Sequence, residues 1–183
     1  LFSYLKFWWH SKNEHGVHSP FVFDLVTNCF YDRKKYSAYQ QLSKNESKSK
    51  FLIRLEAYFK FENCFVPETI DPKFKYALNL KHNITAFKTI DDLIQSEAKS
   101  LKSPCLIYLD LNTIEEHSIS ELFQICHKDS LILTPFIRET KSKLKRWNQL
   151  KSHLGVTVSI DTFYWGLLFF RTEQPKEHFT IRL

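Results

Sequence analysis

The chain has 183 residues, of which 43% are hydrophobic and 25% charged, a composition that fits one globular domain and excludes a disordered segment. No run approaches the roughly 18 consecutive apolar residues of a membrane-spanning helix, and the absence of a signal-peptide pattern predicts a cytoplasmic protein. The net charge of +6 permits binding to nucleic acid or an anionic surface without indicating either.

The first residues of the chain predict an aromatic helix with basic residues beside its apolar stripe. The stripe consists of Leu1, Phe2, Tyr4, Leu5, Trp8 and Trp9. A terminal helix docked on its own domain explains this pattern and is the favoured interpretation. A helix that lies on a membrane surface or contacts a protein partner is the alternative, and we keep a protein partner as an expectation.

A second helix is predicted to begin with Ser19 as its N-cap and Pro20 as its first residue. His15 and His18 precede it and are three residues apart, a spacing that suits metal ligands or general bases. Because no third ligand is near in the sequence, loop hydrogen bonding is the favoured role. His18 remains a catalytic candidate, and no metal site is predicted.

Beyond a polar stretch at 36–50, helical and strand patterns alternate. The predicted strands are Asn63–Pro67, Ile84–Phe87, Pro104–Asp110 and Ser130–Leu133, the last of them stopped by Thr134 and Pro135. The predicted helices are Phe51–Phe61, Lys73–Lys81, Asp91–Leu101 and Arg138–Leu154, and a further helix starts at the capping-box pattern Thr113–Glu116. Thr89 is the expected cap of Asp91–Leu101, and Gly155 is the expected C′ residue after Leu154.

The helix Arg138–Leu154 has a narrow apolar stripe and a basic remainder. The stripe is formed by Leu144, Trp147, Leu150 and Leu154. The remainder includes Lys141, Lys143, Lys145, Arg146 and Lys151. A phosphate-binding face is conceivable, but a solvated helix surface explains the same charges, so nucleic acid is not the expected partner.

The C-terminal stretch predicts three strands, Val156–Asp161, Trp165–Phe170 and Phe179–Ile181. The second is apolar on both faces and should be an interior strand of the sheet. This order of elements predicts an α/β fold, a mostly parallel sheet with helices on both faces and a C-terminal antiparallel hairpin. In this organisation, residues 1–50 form a helical segment that packs on a domain of residues 51–183, one globular unit overall.

Ligands of such sheets bind beyond the carboxyl ends of the strands. The residues predicted at these ends are Glu68, Asp110, Asn112, Thr134 and Phe136. Only three glycines occur, and none belongs to a G-x-G or P-loop pattern, which weighs against an ordinary nucleotide-binding turn. The four cysteines contain no C-x-x-C pair, which favours a reducing compartment. Three of them fall inside apolar runs, where buried free thiols are expected.

Two blocks of sequence, about a fifth of the chain, carry a resemblance to a known family. They read K-N-E-H-G-V-H-S-P-F-V-F-D from Lys12 to Asp24 and S-I-D-T-F-Y-W-G-L-L-F-F-R-T-E-Q-P-K-E-H-F-T-I-R-L from Ser159 to Leu183. Both resemble the ends of a group of bacterial class I methyltransferase-like proteins that use S-adenosylmethionine and are similar to small-molecule O-methyltransferases. The resemblance implies a Rossmann-like methyltransferase sheet, here reduced by a deletion near its first two strands.

The motifs that would hold the cofactor in that family are eroded here. In place of an acidic, glycine-rich turn after the first strand, this chain has C-F-V-P-E-T-I-D-P, and the second strand with its terminal acid is expected to be absent or shrunk. The family's Asp-Gly-x-His after the fourth strand matches Asp110 to Thr113, and its Asp-Asp-x-His after the fifth matches Thr134 to Ile137. Side chains in the turn block close approach of a ligand to the backbone, and threonine and proline neither bind a metal nor accept a proton.

These observations support two possible functions of different classes, a binding module and an enzyme. The favoured one is a methyltransferase-fold protein that has lost cofactor binding and serves as a binding or scaffold module. The alternative is an active enzyme with an altered site that binds S-adenosylmethionine through Glu68, Asp110 or Asn112, with Asp110 or His18 as catalytic candidates. Because methyl transfer depends mainly on proximity and alignment, an unusual site could support it.

Overall fold

The computed structural model describes residues 2–11, 16–79, 83–112 and 114–183, and a seven-stranded sheet lies at its centre. The strands are β1 (Asn63–Pro67), β2 (Asn83–Phe87), β3 (Cys105–Tyr108), β4 (Leu131–Pro135), β5 (Val158–Asp161), β6 (Trp165–Phe169) and β7 (Glu177–Thr180). Their order across the sheet is β2-β1-β3-β4-β6-β5-β7. The first four are parallel neighbours, β6 runs antiparallel between β4 and β5, and β7 is parallel to β5. The predicted mostly parallel sheet with a C-terminal antiparallel hairpin is confirmed.

Helices cover both faces of this sheet, as the sequence predicts. They are α1 (Phe2–His10), α2 (Pro20–Leu25, continued by a π-helical turn Val26–Phe30), α3 (Ser47–Phe59), α4 (Pro72–Leu78), α5 (Ile90–Glu97), α6 (Glu116–Ile125) and α7 (Lys141–Ser152). Helices α2, α3 and α4 contribute to one hydrophobic core and α5, α6 and α7 to the other. Strand β3 shows the division, because Leu106 and Tyr108 belong to the first core whereas Cys105 and Ile107 belong to the second.

Strand β2 establishes that a second strand is present beside β1. It has five residues, as many as β1, and pairs with β1 along its whole length. The expected deletion near the first two strands therefore does not remove it. The residue that follows its end at Phe87 is Lys88, so no carboxylate stands where the family would hold the ribose hydroxyls.

The predicted end of β4 and the predicted start of α6 differ from the structure. Thr134 and Pro135 do not stop β4; they are its last two residues and pair with Gly166 and Trp165 of β6. A proline at the end of a strand removes little from the hydrogen-bonded ladder. The predicted cap Thr113 lies outside the described residues, and α6 has Glu115 at its N-cap position without a side-chain cap hydrogen bond.

Helix α7 is shorter than predicted and differs from the prediction at both ends. Thr140 caps its start by accepting a hydrogen bond from the Lys143 amide at 3.1 Å. The helix ends at His153, where ψ is 140°, so Leu154 leaves the apolar stripe and is 93% exposed. Gly155 is not the predicted left-handed C′ residue, because its φ is not positive.

The cap of α2 ties this helix to the turn between β6 and β7. The Ser19 hydroxyl accepts hydrogen bonds from the Val22 amide at 3.3 Å and from the Gln174 side-chain amide at 2.9 Å. We expect Ser19→Ala to lower the free energy of unfolding by about 1 kcal/mol, measured by urea denaturation. Ser96→Ala, at an exposed position of α5, is the matched control with little expected change, and equal effects from the two variants would contradict the capping role.

Candidate functional site

Strands β1, β3 and β4 end at one edge of the sheet, here called the carboxyl edge, because they are parallel neighbours. From β1 the chain first adds β2 on one side and then β3 on the other, so the order reverses beside β1. Ligands of open α/β sheets bind at such a reversal. The candidates Glu68, Asp110 and Asn112 follow β1 and β3 and therefore lie at this edge.

The turn after β1 is closed by its own hydrogen bonds. The Ile70 amide donates to the Pro67 carbonyl at 3.0 Å, and the Asp71 carboxylate caps α4 by accepting from the Lys73 amide at 2.8 Å. Ile70 is buried, and Glu68 points an exposed side chain outward while its amide donates to the Phe87 carbonyl at 2.9 Å. Two backbone amides of this turn, those of Glu68 and Ile70, thus already donate within the protein.

Asp110 stabilises the turn after β3. Its carboxylate accepts a hydrogen bond from the Asn112 amide at 3.0 Å, and Asn112 itself is exposed. The sequence suggested that Asp110 caps the next helix, but α6 begins only at Glu116. Asp110 therefore caps its own turn, a common role of aspartate.

Lys143 is a buried charged residue at this edge, where the sequence predicted a solvated one. Its side chain is 5% exposed, and its ammonium lies 2.7 Å from Glu139 and 3.7 Å from Asp110. The ammonium compensates both carboxylates, so a divalent cation would have to displace it. Across the ranges that the structure describes, no group of three or more His, Cys, Asp or Glu side chains suits a metal ion.

An aromatic cluster fills the space above the strand ends and is here called the aromatic plug. It consists of Phe74, Tyr108, Phe136 and Trp165. The ring centroids of Phe74 and Trp165 are 5.2 Å apart in an edge-to-face arrangement, and those of Phe136 and Trp165 are 6.3 Å apart. Trp165 is 1% exposed and Tyr108 4%. Burial raises the pKa of the Tyr108 hydroxyl, so it stays neutral at physiological pH.

A lysine contacts one ring of the plug, and a salt bridge links two helices beside it. Phe136 has a φ of 50°, a strained conformation that persists only where the surroundings enforce it. The Lys48 ammonium lies 4.8 Å from the Phe136 ring. Glu46, at the N-cap position of α3, forms a salt bridge with Lys73 of α4 at 2.6 Å. The hydrogen bond from Lys73 holds the pKa of Glu46 below its ordinary value.

His18 lies at the opposite edge of the sheet from Asp110. It is exposed and borders a cleft of about 590 Å³ together with Glu173 and Gln174. Both of these residues follow β6, which runs antiparallel to β4 and so ends where β4 begins. The two catalytic candidates are therefore not brought together. His15 lies outside the described residues.

A serine–histidine pair borders a second cleft, of about 540 Å³, between α6 and α7. The Ser120 hydroxyl is 3.3 Å from His153 Nε2. His153 Nδ1 accepts a hydrogen bond from the Gly155 amide at 3.1 Å, so the ring proton of neutral His153 is on Nε2. His153 then donates to Ser120 and cannot take its proton, which excludes this pair as a nucleophile and base.

The cysteines are protected thiols. Burial raises the pKa of Cys105 to about 11 and also raises the pKa values of Cys29, Cys64 and Cys126. Because the thiolate is the reactive species, we expect the native protein to react with a thiol reagent at neutral pH far more slowly than the urea-unfolded protein. Thiol titration in both states measures this. Rapid modification of one cysteine in the folded chain would show an activated thiol instead.

Comparisons with known proteins leave the family unassigned. No family model matches the chain, and no curated protein sequence matches it. Among solved structures, the fold is similar to the crystal structure of cofactor-bound Rv0187 from MTB, with 11% identity and a TM-score of 0.47 over 72% of this chain and 83% of that one. A likeness this remote assigns neither a ligand nor a residue. Membership of the methyltransferase-like family stays a prediction.

Proposed function

We propose that the chain is a methyltransferase-fold protein that does not bind S-adenosylmethionine in the usual way and acts as a non-catalytic binding module. The observation that carries the proposal is the aromatic plug, which fills the carboxyl edge with packed rings. An α/β sheet of this kind has its ligand crevice at this edge. Here that crevice is a hydrophobic core.

The energy needed to open the plug supports the proposal. Burying one large apolar side chain is worth about 1.5–3 kcal/mol, so exposing three of these rings costs roughly 5–9 kcal/mol. A ligand of micromolar affinity has a binding free energy of about 8 kcal/mol. Opening the plug would therefore consume most or all of the affinity that an ordinary cofactor site provides.

The chemistry at the edge points the same way. No glycine lies in the turn after β1, Lys88 follows β2, and Asp110 is engaged by its own turn and faces Lys143. Thr134 donates its hydroxyl hydrogen to the Gly166 carbonyl at 3.3 Å. Asp110 and Thr134 are thus engaged within the protein, and the ammonium of Lys88 cannot accept a hydrogen bond from a ribose hydroxyl.

Helix α1 supplies the contact surface of the proposed module. One buried residue of the helix, Phe7, packs on Phe163 with ring centroids 5.2 Å apart, which supports a helix docked on the domain. The opposite side is open, with Trp9 80% and Leu5 55% exposed. A helix that packs on its own domain and leaves its outer side chains exposed supports this role as a contact surface.

The proposal is tested by calorimetric titration of the purified chain with S-adenosylmethionine and with S-adenosylhomocysteine. We expect no heat of binding for either compound at concentrations that saturate ordinary methyltransferases. A dissociation constant in the micromolar range would overturn the proposal and favour the active enzyme with an altered site. A Lys143→Met variant, matched in length, serves as control for weak electrostatic binding to the edge.

A further inference from the structure

Exposed apolar side chains cluster around α1. This group, here called the aromatic patch, consists of Tyr4, Leu5, Trp8, Trp9 and Tyr164. Tyr164 joins the helix through Phe163, whose ring lies 5.2 Å from Tyr164 and 4.9 Å from Tyr4. In the part of the chain that the structure describes, these five are the majority of the large hydrophobic side chains that are exposed. Patches of this kind mark interaction sites.

A strongly basic stretch, residues 33–50 and here called the basic segment, adjoins the patch. It contains six lysines and arginines and one glutamate, a net charge of +5 in a chain whose total is +6. The single acid, Glu46, is paired with Lys73 at 2.6 Å. Arg33, Lys34 and Lys35 are exposed.

Two sets of contacts join the basic segment to the aromatic patch. The Tyr31 hydroxyl, just before the segment, donates to the Arg182 carbonyl at 2.8 Å, and the Arg182 guanidinium lies 4.9 Å from the Trp8 ring centre. At the other end of the segment, the Lys48 ammonium lies 4.4 Å from the Tyr164 ring centre. The apolar and basic areas are therefore one continuous surface.

We propose that this surface binds the anionic phospholipid headgroups of a bilayer. Tryptophan and tyrosine are favoured at the interface between headgroups and acyl chains, and each lysine or arginine near an anionic leaflet adds to the attraction. Apolar insertion and basic attraction together give stable peripheral binding where either alone is weak. A cleft of about 690 Å³ in the basic segment, lined by Lys35, Lys44 and Lys50 with Tyr36 and Tyr39, has the charge and size to take a phosphate headgroup.

The side-by-side arrangement of the two areas favours a lipid surface over nucleic acid. Proteins that bind single-stranded nucleic acid interleave stacking rings and cations along one groove. Here the most exposed rings, such as that of Trp9, lie on a surface helix beside the cations, and the rings among the cations, those of Tyr36 and Tyr39, are half-buried. This inference rests on the proposed function, since it names the partner of the non-catalytic module.

The experiment is co-sedimentation of the full chain with vesicles of phosphatidylcholine alone and of phosphatidylcholine and phosphatidylserine in equal parts. We expect binding to the second kind only, weakened by salt. The double variants Leu5→Ser/Trp9→Ala and Lys34→Gln/Lys35→Gln should each weaken binding by about tenfold or more. Leu154→Ser and Lys141→Gln/Lys145→Gln change the same kinds of exposed side chain outside the aromatic patch and the basic segment; they are the matched controls and should leave binding unchanged.

Circular dichroism of each variant checks the fold, which we expect to persist because the altered side chains are exposed. Absence of binding to phosphatidylserine vesicles, or binding that the patch variants leave unchanged, would overturn the inference. If the chain does not bind vesicles and the patch variants abolish its self-association in ultracentrifugation, the surface binds protein. If they abolish an RNA mobility shift instead, the surface binds RNA. The vesicle experiment contains no methyl donor. A negative result in it therefore does not bear on the calorimetric test of the non-catalytic role.

Discussion

A Trp165→Ala variant is expected to lose about 3–5 kcal/mol of its free energy of unfolding, as large aromatic truncations in cores do. Trp165 is 1% exposed and lies within 6.4 Å, between ring centroids, of Phe51, Phe74, Tyr108 and Phe136. Its removal leaves a cavity lined by rings that cannot close it fully. Urea denaturation followed by circular dichroism measures the loss.

Trp9→Ala is the matched control for this variant, because Trp9 is 80% exposed and its removal should change stability by no more than about 0.5 kcal/mol. An apolar cavity binds apolar molecules of its own size, so added indole should restore part of the melting temperature of Trp165→Ala and none of that of Trp9→Ala. A loss near that of the control would contradict a packed plug at the carboxyl edge.

A Gly166→Ala variant is the second change with a large expected effect. A Cβ at Gly166 would lie 2.5 Å from Trp147 Cζ3 and 2.6 Å from Thr134 Oγ1, closer than real carbon contacts allow. Both neighbours are buried, Trp147 with 1% exposure. Overpacking of this kind costs about 1–3 kcal/mol and occasionally more, and thermal and urea denaturation measure it.

Gly155→Ala is the matched control, since the nearest atom to its added Cβ is at 3.3 Å in the half-buried ring of His153. Neither glycine has a positive φ, so the two variants differ in the space available to the added Cβ and not in backbone strain. Adding Trp147→Leu to Gly166→Ala should recover part of the loss, because the two side chains share one contact. Equal stabilities for the two alanine variants would show that Trp147 does not press on β6.

Buried strands of this chain could be predicted well from sequence, for a physical reason. Strand β1 has the predicted bounds, Asn63–Pro67, and β6 begins at the predicted Trp165. An interior strand is covered on both faces and so shows an unbroken apolar run between polar turns. Helix ends are less determined, as Leu154 shows, because spacing continues past the point where the backbone leaves the helix.

Lys143 shows where composition misleads. Its charge predicts a place on the solvated face of α7. It precedes Trp147 by four residues and so lies on the same face of the helix, and the structure buries it against Glu139 and Asp110. The spacing contained part of the signal, since Glu139 lies four residues before Lys143. The second partner, Asp110, comes from the turn after β3, and only the fold brings it near.

The plug itself is a tertiary feature. The absence of glycine after β1 predicted a blocked turn, yet the rings that block the edge come from α4, β3, the residue after β4, and β6. Their convergence depends on strand order, which the sequence does not display. The same holds for His18, whose position at the opposite edge follows from the antiparallel direction of β6.

Crystallisation of the chain with an excess of S-adenosylhomocysteine tests the closed carboxyl edge most directly. We predict electron density in which the rings of Phe74, Tyr108, Phe136 and Trp165 remain packed and no ligand is seen beyond β1 and β3. An ordered S-adenosylhomocysteine against the ends of these strands, with the rings displaced, would contradict the proposed non-catalytic role.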